Sequence, residues 1–207
     1  ISLTTLGFGT GNYNERLMEQ LADAGDGNYS YIDNPNEAKK VLQRQLSSTL
    51  ATVAQDVKIQ VEFNPATVKE YRLVGYENRL LKQEDFNNDN IDAGDIGAGH
   101  SVTALYEIIP AGQPGWLGES RYRPAAPAAD SKAGEYAHVN LRYKLPGKSA
   151  SILISQPVAA SSKPLAQADA DTRFAIAVAA YGQQLRGGQY NGKMGWGDII
   201  RLARQAD

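Results

Sequence analysis

The stretch 57–63, VKIQVEF, decides the fold class of this chain. Its apolar residues alternate with Lys58, Gln60 and Glu62, a period of two that indicates a β-strand with an apolar face and a wet face. Before residue 52, the apolar residues follow the 3.6-residue period of a helix instead. This change of period predicts an α/β segment followed by a mainly β segment.

The alternating pattern recurs farther along the chain. The stretch 137–145, AHVNLRYKL, predicts a second strand with one wet face. Apolar runs at 68–76, 101–109 and 152–156 predict three more strands, and Pro157 is expected to end the last of them. Five strands joined by turns favour a mostly antiparallel, sandwich-like β domain over residues 51–207.

Two helices are predicted at the C-terminal end of this β domain. Asp171 is the predicted cap of the first helix, and Asp198 is the predicted cap of a short last helix. The first helix has apolar residues at the spacing i, i+4, i+7 and i+11, which places them along one stripe; they are Phe174, Val178, Tyr181 and Leu185.

Residues 1–50 have the pattern β-α-β-α. Strands are predicted at 3–8 and 28–32, and their helices begin at the caps Asn14 and Asn34. Two strands joined by a helix imply a parallel pair with a right-handed crossover. The second helix carries an apolar stripe made of Ala38, Val41, Leu42, Leu46, Thr49 and Leu50.

Composition excludes several classes of function. The chain has 21 basic and 23 acidic residues, a net charge of −2, which argues against a nucleic-acid-binding domain with a basic surface. The absence of cysteine excludes disulfides, thiolate metal sites and cysteine nucleophiles in these residues. No set of nucleophile, acid and base is visible, so we expect no enzymatic activity and no cofactor in this stretch of chain.

A glycine-rich loop follows the first predicted strand. Gly7, Gly9 and Gly11 resemble part of a dinucleotide-binding fingerprint, in which glycines let backbone N–H groups approach a pyrophosphate. The third glycine of that fingerprint is displaced, because Asn12 and Tyr13 follow directly. An ordinary strand-to-helix loop is therefore the favoured interpretation.

The acidic stretch 77–99 is predicted to be irregular and contains a possible calcium loop. Asp85, Asn87 and Asp89 have the 1, 3, 5 spacing of such loops. The turn glycine at position 6 and the glutamate at position 12 are missing, since Asn90 and Ile96 occupy these positions. Both a solvated acidic loop and an irregular calcium site remain open, and the candidate ligands are Asp85, Asn87, Asp89, Asp92 and Asp95.

Several stretches resemble a known family. The stretches 3–9, LTTLGFG, and 27–33, GNYSYID, resemble the last two strands of a von Willebrand factor type A domain. Three further stretches are similar to the C-terminal region of bacterial envelope proteins of the YfbK type, which carry such a domain: 61–65, VEFNP; 71–79, YRLVGYENR; and 97–107, GAGHSVTALYE. The resemblance covers most of the chain.

The resemblance implies a fold, a location and a general role. Residues 1–50 would be the end of a Rossmann-like A-domain sheet, and residues 51–207 the C-terminal β domain with its helical tail. The resemblance implies a protein-binding or scaffolding role in the bacterial envelope, in the periplasm or on a lipid anchor. The Asp-x-Ser-x-Ser metal motif of A-domains does not occur in this sequence, so any divalent cation would bind upstream of Ile1.

The start of the chain leads to a prediction about self-association. Ile1 lies at the edge of a predicted core strand, so we expect it to be the cut end of a longer chain. A lone parallel pair of strands is too small to be stable by itself, and its open edge can pair with another chain. Residues 1–50 are therefore expected to pack on the β domain or to pair with the same segment of a second copy.

Overall fold

The computed structural model describes residues 3–9, 11, 13–44, 51–76, 80–118, 132 and 134–206. These residues form a mixed α/β structure with eight strands and four α-helices. In chain order the elements are β1 Thr5–Phe8, α1 Glu15–Ala24, β2 Tyr29–Ile32, α2 Pro35–Lys39, β3 Thr52–Phe63, β4 Val68–Val74, β5 Gly94–Gly97, β6 Leu105–Pro110, β7 Glu135–Lys144, β8 Ile152–Ala159, α3 Ala170–Leu185 and α4 Trp196–Arg204.

Contacts along the backbone divide the chain into two compact units. The first unit comprises residues 1–61, 81–102 and 139–156, and the second comprises residues 62–80, 103–138 and 157–207. The boundary near residue 50 rests on the change of sequence period and stays a prediction.

The first unit begins with the predicted β-α-β-α segment. Strands β1 and β2 pair in parallel, as the crossover rule requires. The Asn14 side chain accepts a hydrogen bond from the Leu17 N–H at 3.1 Å, and Asn34 accepts one from the Glu37 N–H at 3.0 Å. These bonds confirm both predicted helix caps.

The second predicted helix does not stay α-helical through residue 44. Helix α2 ends at Lys39 and continues as one π-helical turn, Lys40–Arg44. Val41 is buried in this turn, whereas Leu42 is about half exposed. Ala38 lies in α2, and the last three predicted members of the stripe lie outside the described residues: Leu46, Thr49 and Leu50.

Four strands form a sheet in the order β5-β3-β7-β8. Strands β3 and β7 confirm the strands predicted at 57–63 and 137–145. Strand β5 was not predicted, because its sequence GDIG has no strand periodicity; it pairs antiparallel with β3, with register shifts on either side of Ala54. Asp56 beside the second shift has a left-handed backbone with φ of 49°.

The wet face predicted for β3 is wrong at its centre. Lys58 is only 3% exposed, whereas its neighbour Ile59 is 49% exposed. The alternation is real, but the acidic stretch that follows covers Lys58 with backbone carbonyls, as its hydrogen bonds show. Strand β8 also corrects an expectation, because it continues through Pro157 to Ala159.

The second unit contains the antiparallel pair β4 and β6 together with helices α3 and α4. Phe63 stacks on Tyr71 with ring centres 4.2 Å apart, and the Tyr106 ring meets Phe63 edge-on. The consecutive strands β3 and β4 lie in different sheets, and the sandwich-like arrangement stays a prediction. The buried apolar residues of this unit are Val68, Ala137, Ala177, Ala180, Ile199 and Leu202.

The caps of the last two helices differ from the predicted ones. Asp169, two residues before the predicted Asp171, accepts the Thr172 N–H at 2.8 Å and caps α3. Helix α4 is capped at Gly195, and the Asp198 carboxylate reaches back to the Gly195 N–H at 3.2 Å. Asp198 therefore acts three residues inside the helix, as the acid of a capping box.

Candidate functional site

The predicted calcium loop is held by a lysine of the first unit. The buried Lys58 ammonium donates to the carbonyl oxygens of Asn88 at 2.5 Å and of Asp85 at 3.3 Å. Asp85 thus contributes its backbone oxygen to this contact. A tethered ammonium occupies a position at which carbonyl oxygens converge, which is the arrangement that a bound cation would use.

A second lysine binds the next turn of the loop. The Lys144 ammonium contacts the Asp56 carboxylate at 2.6 Å and donates to the Asp89 carbonyl, also at 2.6 Å. The other oxygen of Asp56 accepts the Ala93 N–H at 3.1 Å. The left-handed backbone at Asp56 therefore places a β3 carboxylate between a β7 lysine and the loop.

Three further candidate ligands have hydrogen-bond partners within the first unit. The Asn87 side chain accepts a hydrogen bond from Arg142 at 2.9 Å, and the Arg142 guanidinium lies over the Phe86 ring. The Asp89 carboxylate accepts the Ser151 N–H at 3.3 Å. Asp95 accepts the Asp56 N–H, also at 3.3 Å.

The carboxylates of the loop differ in the direction of their pKa shifts. Burial raises the pKa of Asp92, and the nearby carboxylates Asp26 and Asp56 raise it further. Burial also raises the pKa of Asp95. The hydrogen bonds from Ser151 lower the pKa of Asp89.

The pKa of Asp56 is subject to opposing influences. Burial alone would raise its pKa, but hydrogen bonds from Lys144 and from the Ala93 N–H lower it below the ordinary value. Asp56 is therefore the ionised partner, and Asp92 is the carboxyl that holds a proton more readily. Within the described ranges, no group of three or more His, Cys, Asp or Glu side chains is placed to hold a metal ion.

The glycine-rich loop packs against aromatic rings. A Cβ atom on Gly7 would lie 2.1 Å from the Tyr13 hydroxyl, so the glycine is required by this ring. The Tyr31 hydroxyl donates to the Gly9 carbonyl at 2.7 Å, and Tyr13 donates to the Tyr29 hydroxyl at 2.6 Å. Close packing of tyrosines accounts for a glycine that the sequence pattern shares with a phosphate-binding loop.

The stripe along α3 is an exposed apolar feature of the second unit. Its four residues are exposed by 50–64%: Phe174, Val178, Tyr181 and Leu185. The buried residues of helix α3 are small ones, Ala177 and Ala180. The spacing of the stripe was predicted, but the period alone gives no indication of what the stripe faces.

A groove of about 680 Å³ runs beside the stripe, between α3 and strands β4 and β6. Val178 belongs both to the stripe and to the groove lining. The lining carries the guanidinium groups of Arg72 and Arg186, and among its described residues there is no Asp or Glu. The groove lining therefore combines small and apolar residues with two arginines and several neutral polar residues.

Arg72 is fixed within this groove. Its guanidinium makes two contacts of 2.7 Å with the Glu107 carboxylate. The same group lies 3.8 Å from the centre of the Tyr190 ring and 5.9 Å from the centre of the Trp116 ring. A bidentate ion pair with aromatic contacts holds this cation in one orientation.

Comparison with known proteins identifies the family. The model of the family described as "Uncharacterized protein YfbK, C-terminal" matches residues 48–207. The chain belongs to this family. It is also 47% identical over 207 residues to uncharacterized protein YfbK of Escherichia coli (strain K12), and covers 36% of the length of that protein. The chain thus spans about a third of the curated relative that it matches, and the resemblance to the YfbK type is confirmed.

Two solved structures have partial similarity to the chain. The ArnB paralog VWA2 from Sulfolobus acidocaldarius matches with a TM-score of 0.40 and 16% identity, over 99% of this chain and 46% of that one. A von Willebrand factor type A protein from Catenulispora acidiphila matches with a TM-score of 0.44 and 15% identity, over 99% and 48%. Similarity at this level does not define a shared fold.

Among the described residues, no helix combines the length and the apolar character that a membrane span needs.

Proposed function

We propose that this YfbK-type chain is a non-enzymatic protein-interaction module. The observation that supports the proposal is the exposed apolar stripe of α3, formed by Phe174, Val178, Tyr181 and Leu185. Single exposed apolar residues are common on protein surfaces, but four of them aligned on one helix face beside a groove are typical of a binding surface.

The stripe suggests the form of the partner. A helix laid along α3 would present apolar residues at i, i+3 or i+4, and i+7 to the stripe. The proposed occupant is therefore an amphipathic helix contributed by another protein.

The location is part of the same proposal. The resemblance to envelope proteins of the YfbK type supports a place in the bacterial cell envelope, in the periplasm or on a lipid anchor. Separation of the inner and outer membrane and periplasmic fractions of cells making the full-length protein tests this part. Recovery of the full-length protein in the cytosolic fraction would contradict it.

Site-specific photo-crosslinking tests the interaction itself. A photoreactive amino acid placed at Val178 of the full-length protein should give an adduct with a defined protein in living cells. Mass spectrometry of the adduct should locate the link on an amphipathic helix. The matched control is the same amino acid at Leu117, an exposed apolar residue of the same unit that is outside the stripe.

The outcomes separate the proposal from its alternatives. Equal adducts from both positions would indicate chance collisions and contradict a specific surface. An adduct on a lipid or on a non-helical segment would replace the proposed partner. No adduct from Val178 at normal expression would contradict the interaction through this stripe.

A further inference from the structure

Strand β8 leaves an exposed, uncharged edge on the four-stranded sheet. All eight of its residues are exposed, and β8 is the outermost strand of the order β5-β3-β7-β8 among the described strands. Its first three residues are aliphatic and 40–50% exposed: Ile152, Leu153 and Ile154. No charged residue occurs in the sequence from 149 to 162. Proteins usually protect such an edge with charges or cover it with other elements.

The direction of the backbone groups follows from Pro157. A proline has no N–H to donate to a neighbouring strand, so within an edge strand its nitrogen is expected to face the free edge. Because N–H directions alternate along a strand, the odd-numbered residues of β8 point toward the free edge and the even-numbered residues point toward β7.

The free edge therefore offers a short and defined set of donors. The N–H groups of Leu153 and Ser155 point outward, and their carbonyl oxygens point the same way. Pro157 ends this set on one side because it has no N–H. Ser151 ends it on the other side, because its N–H already donates to the Asp89 carboxylate at 3.3 Å.

We propose that β8 pairs with β8 of a second copy of this chain. The two strands run antiparallel about a twofold axis at Ile154, so that Leu153 of one copy lies opposite Ser155 of the other. Two donors and two acceptors from each copy then form four hydrogen bonds. The pairing joins two four-stranded sheets into one sheet of eight strands.

A second copy is the proposed partner because the residues that bound the outward donors of β8 match each other across the pair. In this register, Pro157 of one copy lies opposite Ser151 of the other. A residue without an N–H thus faces a residue whose N–H is already used, and neither end leaves a new unpaired donor. The uncharged strand also brings no like charges together, whereas like charges opposite each other destabilise a strand pair. This proposal is independent of the helix-binding surface on α3.

A charge-exchange experiment tests the register. Ile154→Lys and Ile154→Glu each place two like charges face to face at the proposed axis, where opposing side chains are closest. The matched control is Ile59→Lys, which changes an isoleucine of equal exposure, 49% against 50%, on strand β3 of the same sheet. Sedimentation equilibrium over a concentration series measures the mass, and circular dichroism verifies that each variant is folded.

The expected results are specific to this pairing. The unaltered chain and Ile59→Lys should approach twice the monomer mass of 22.4 kDa as concentration rises. Each Ile154 variant alone should remain at the monomer mass, and an equimolar mixture of the two should recover the dimer. A monomeric unaltered chain would overturn the proposal, and so would a dimer that persists in Ile154→Lys, which would indicate another interface such as residues 1–50. Failure of the mixture to associate would overturn the register at Ile154.

Discussion

The acidic loop at 85–95 and the apolar stripe of α3 contrast in how their side chains are engaged. In the loop, the ammonium groups of Lys58 and Lys144 bind backbone carbonyls, and Arg142 binds a candidate calcium ligand, Asn87. Along α3, four large apolar side chains remain at least half exposed. The region with the more conspicuous sequence is thus engaged internally, while the ordinary amphipathic helix presents a surface.

This difference teaches how to weigh the two kinds of sequence pattern. An acid-rich loop indicates a cation, but the cation can be supplied by the chain itself, as Lys58 does here. An apolar period indicates burial, but the covering surface can belong to another protein. Substitutions in the loop and in the stripe test each half of this contrast, from the largest effect on unfolding to the smallest.

Removing the Lys58 ammonium should have the largest effect on the free energy of unfolding. Lys58→Met leaves the carbonyls of Asp85 and Asn88 without their charged donor, and should lower the free energy of unfolding by about 2–3 kcal/mol. Urea unfolding measures this change. The control Lys148→Met alters an exposed lysine of the same unit and should change the free energy by less than about 0.5 kcal/mol. Equal values for the two variants would mean that Lys58 does not hold the loop.

Neutralising Asp92 should stabilise the protein at neutral pH. Its pKa is raised by burial and by Asp26 and Asp56, so the folded chain binds this proton more readily than the unfolded chain. The unfolding free energy linked to Asp92 therefore rises as the pH falls through the raised pKa. Asp92→Asn removes this penalty and should add up to about 1 kcal/mol at pH 7.

The pH dependence provides the control for that variant. The gain from Asp92→Asn should disappear below about pH 3, where Asp92 is protonated in both states. Asp85→Asn, the same substitution elsewhere in the loop, should leave the unfolding free energy nearly unchanged at both pH values. A loss of stability in Asp92→Asn at pH 7 would contradict the electrostatic account of the loop.

Removing an aromatic ring from the stripe should barely change stability. Phe174→Ser alters a residue that is 52% exposed, and the free energy of unfolding should stay within about 0.5 kcal/mol of the original. Ile199→Ala in α4 removes a buried side chain instead and should cost about 2 kcal/mol or more. A large loss in Phe174→Ser would show that the ring belongs to the chain's own core.

Adding calcium should have the smallest effect on stability. Since Lys58, Lys144 and Arg142 already engage the loop oxygens, millimolar calcium should leave the melting temperature unchanged. A ligand present at 100 times its dissociation constant would add about 2.7 kcal/mol, which a melting curve detects readily. A rise in melting temperature with calcium, absent with magnesium at equal ionic strength, would restore the calcium site as the function of this loop.

Much of the fold was predictable because it depends on local patterns. The period of two identified β3 and β7, and short polar side chains identified the caps Asn14 and Asn34. Strand β5 was missed because it forms only through pairing with β3. The extent of β8 was underestimated because a proline ends a central strand but is accepted at an edge.

The candidate sites were less predictable because they depend on contacts distant in sequence. The five candidate ligands from Asp85 to Asp95 were visible in the sequence, but their partners Lys58 and Lys144 lie on strands 27 or more residues away. The alternating polar positions of β3 gave no indication that Lys58 would be the covered one. The stripe on α3 was visible as a period, whereas its exposure required the structure.

The central claim, that another protein covers the α3 stripe, is tested most directly by thiol labelling. The chain has no cysteine, so Val178→Cys and the control Leu117→Cys each introduce a single reactive thiol. In the purified chain, both should react readily with a small maleimide, because both positions are exposed. In cells making the full-length protein, with labelling read on the peptide that carries the introduced cysteine, we predict that Val178→Cys is protected several-fold relative to Leu117→Cys. Equal labelling at the two positions in cells would contradict the claim.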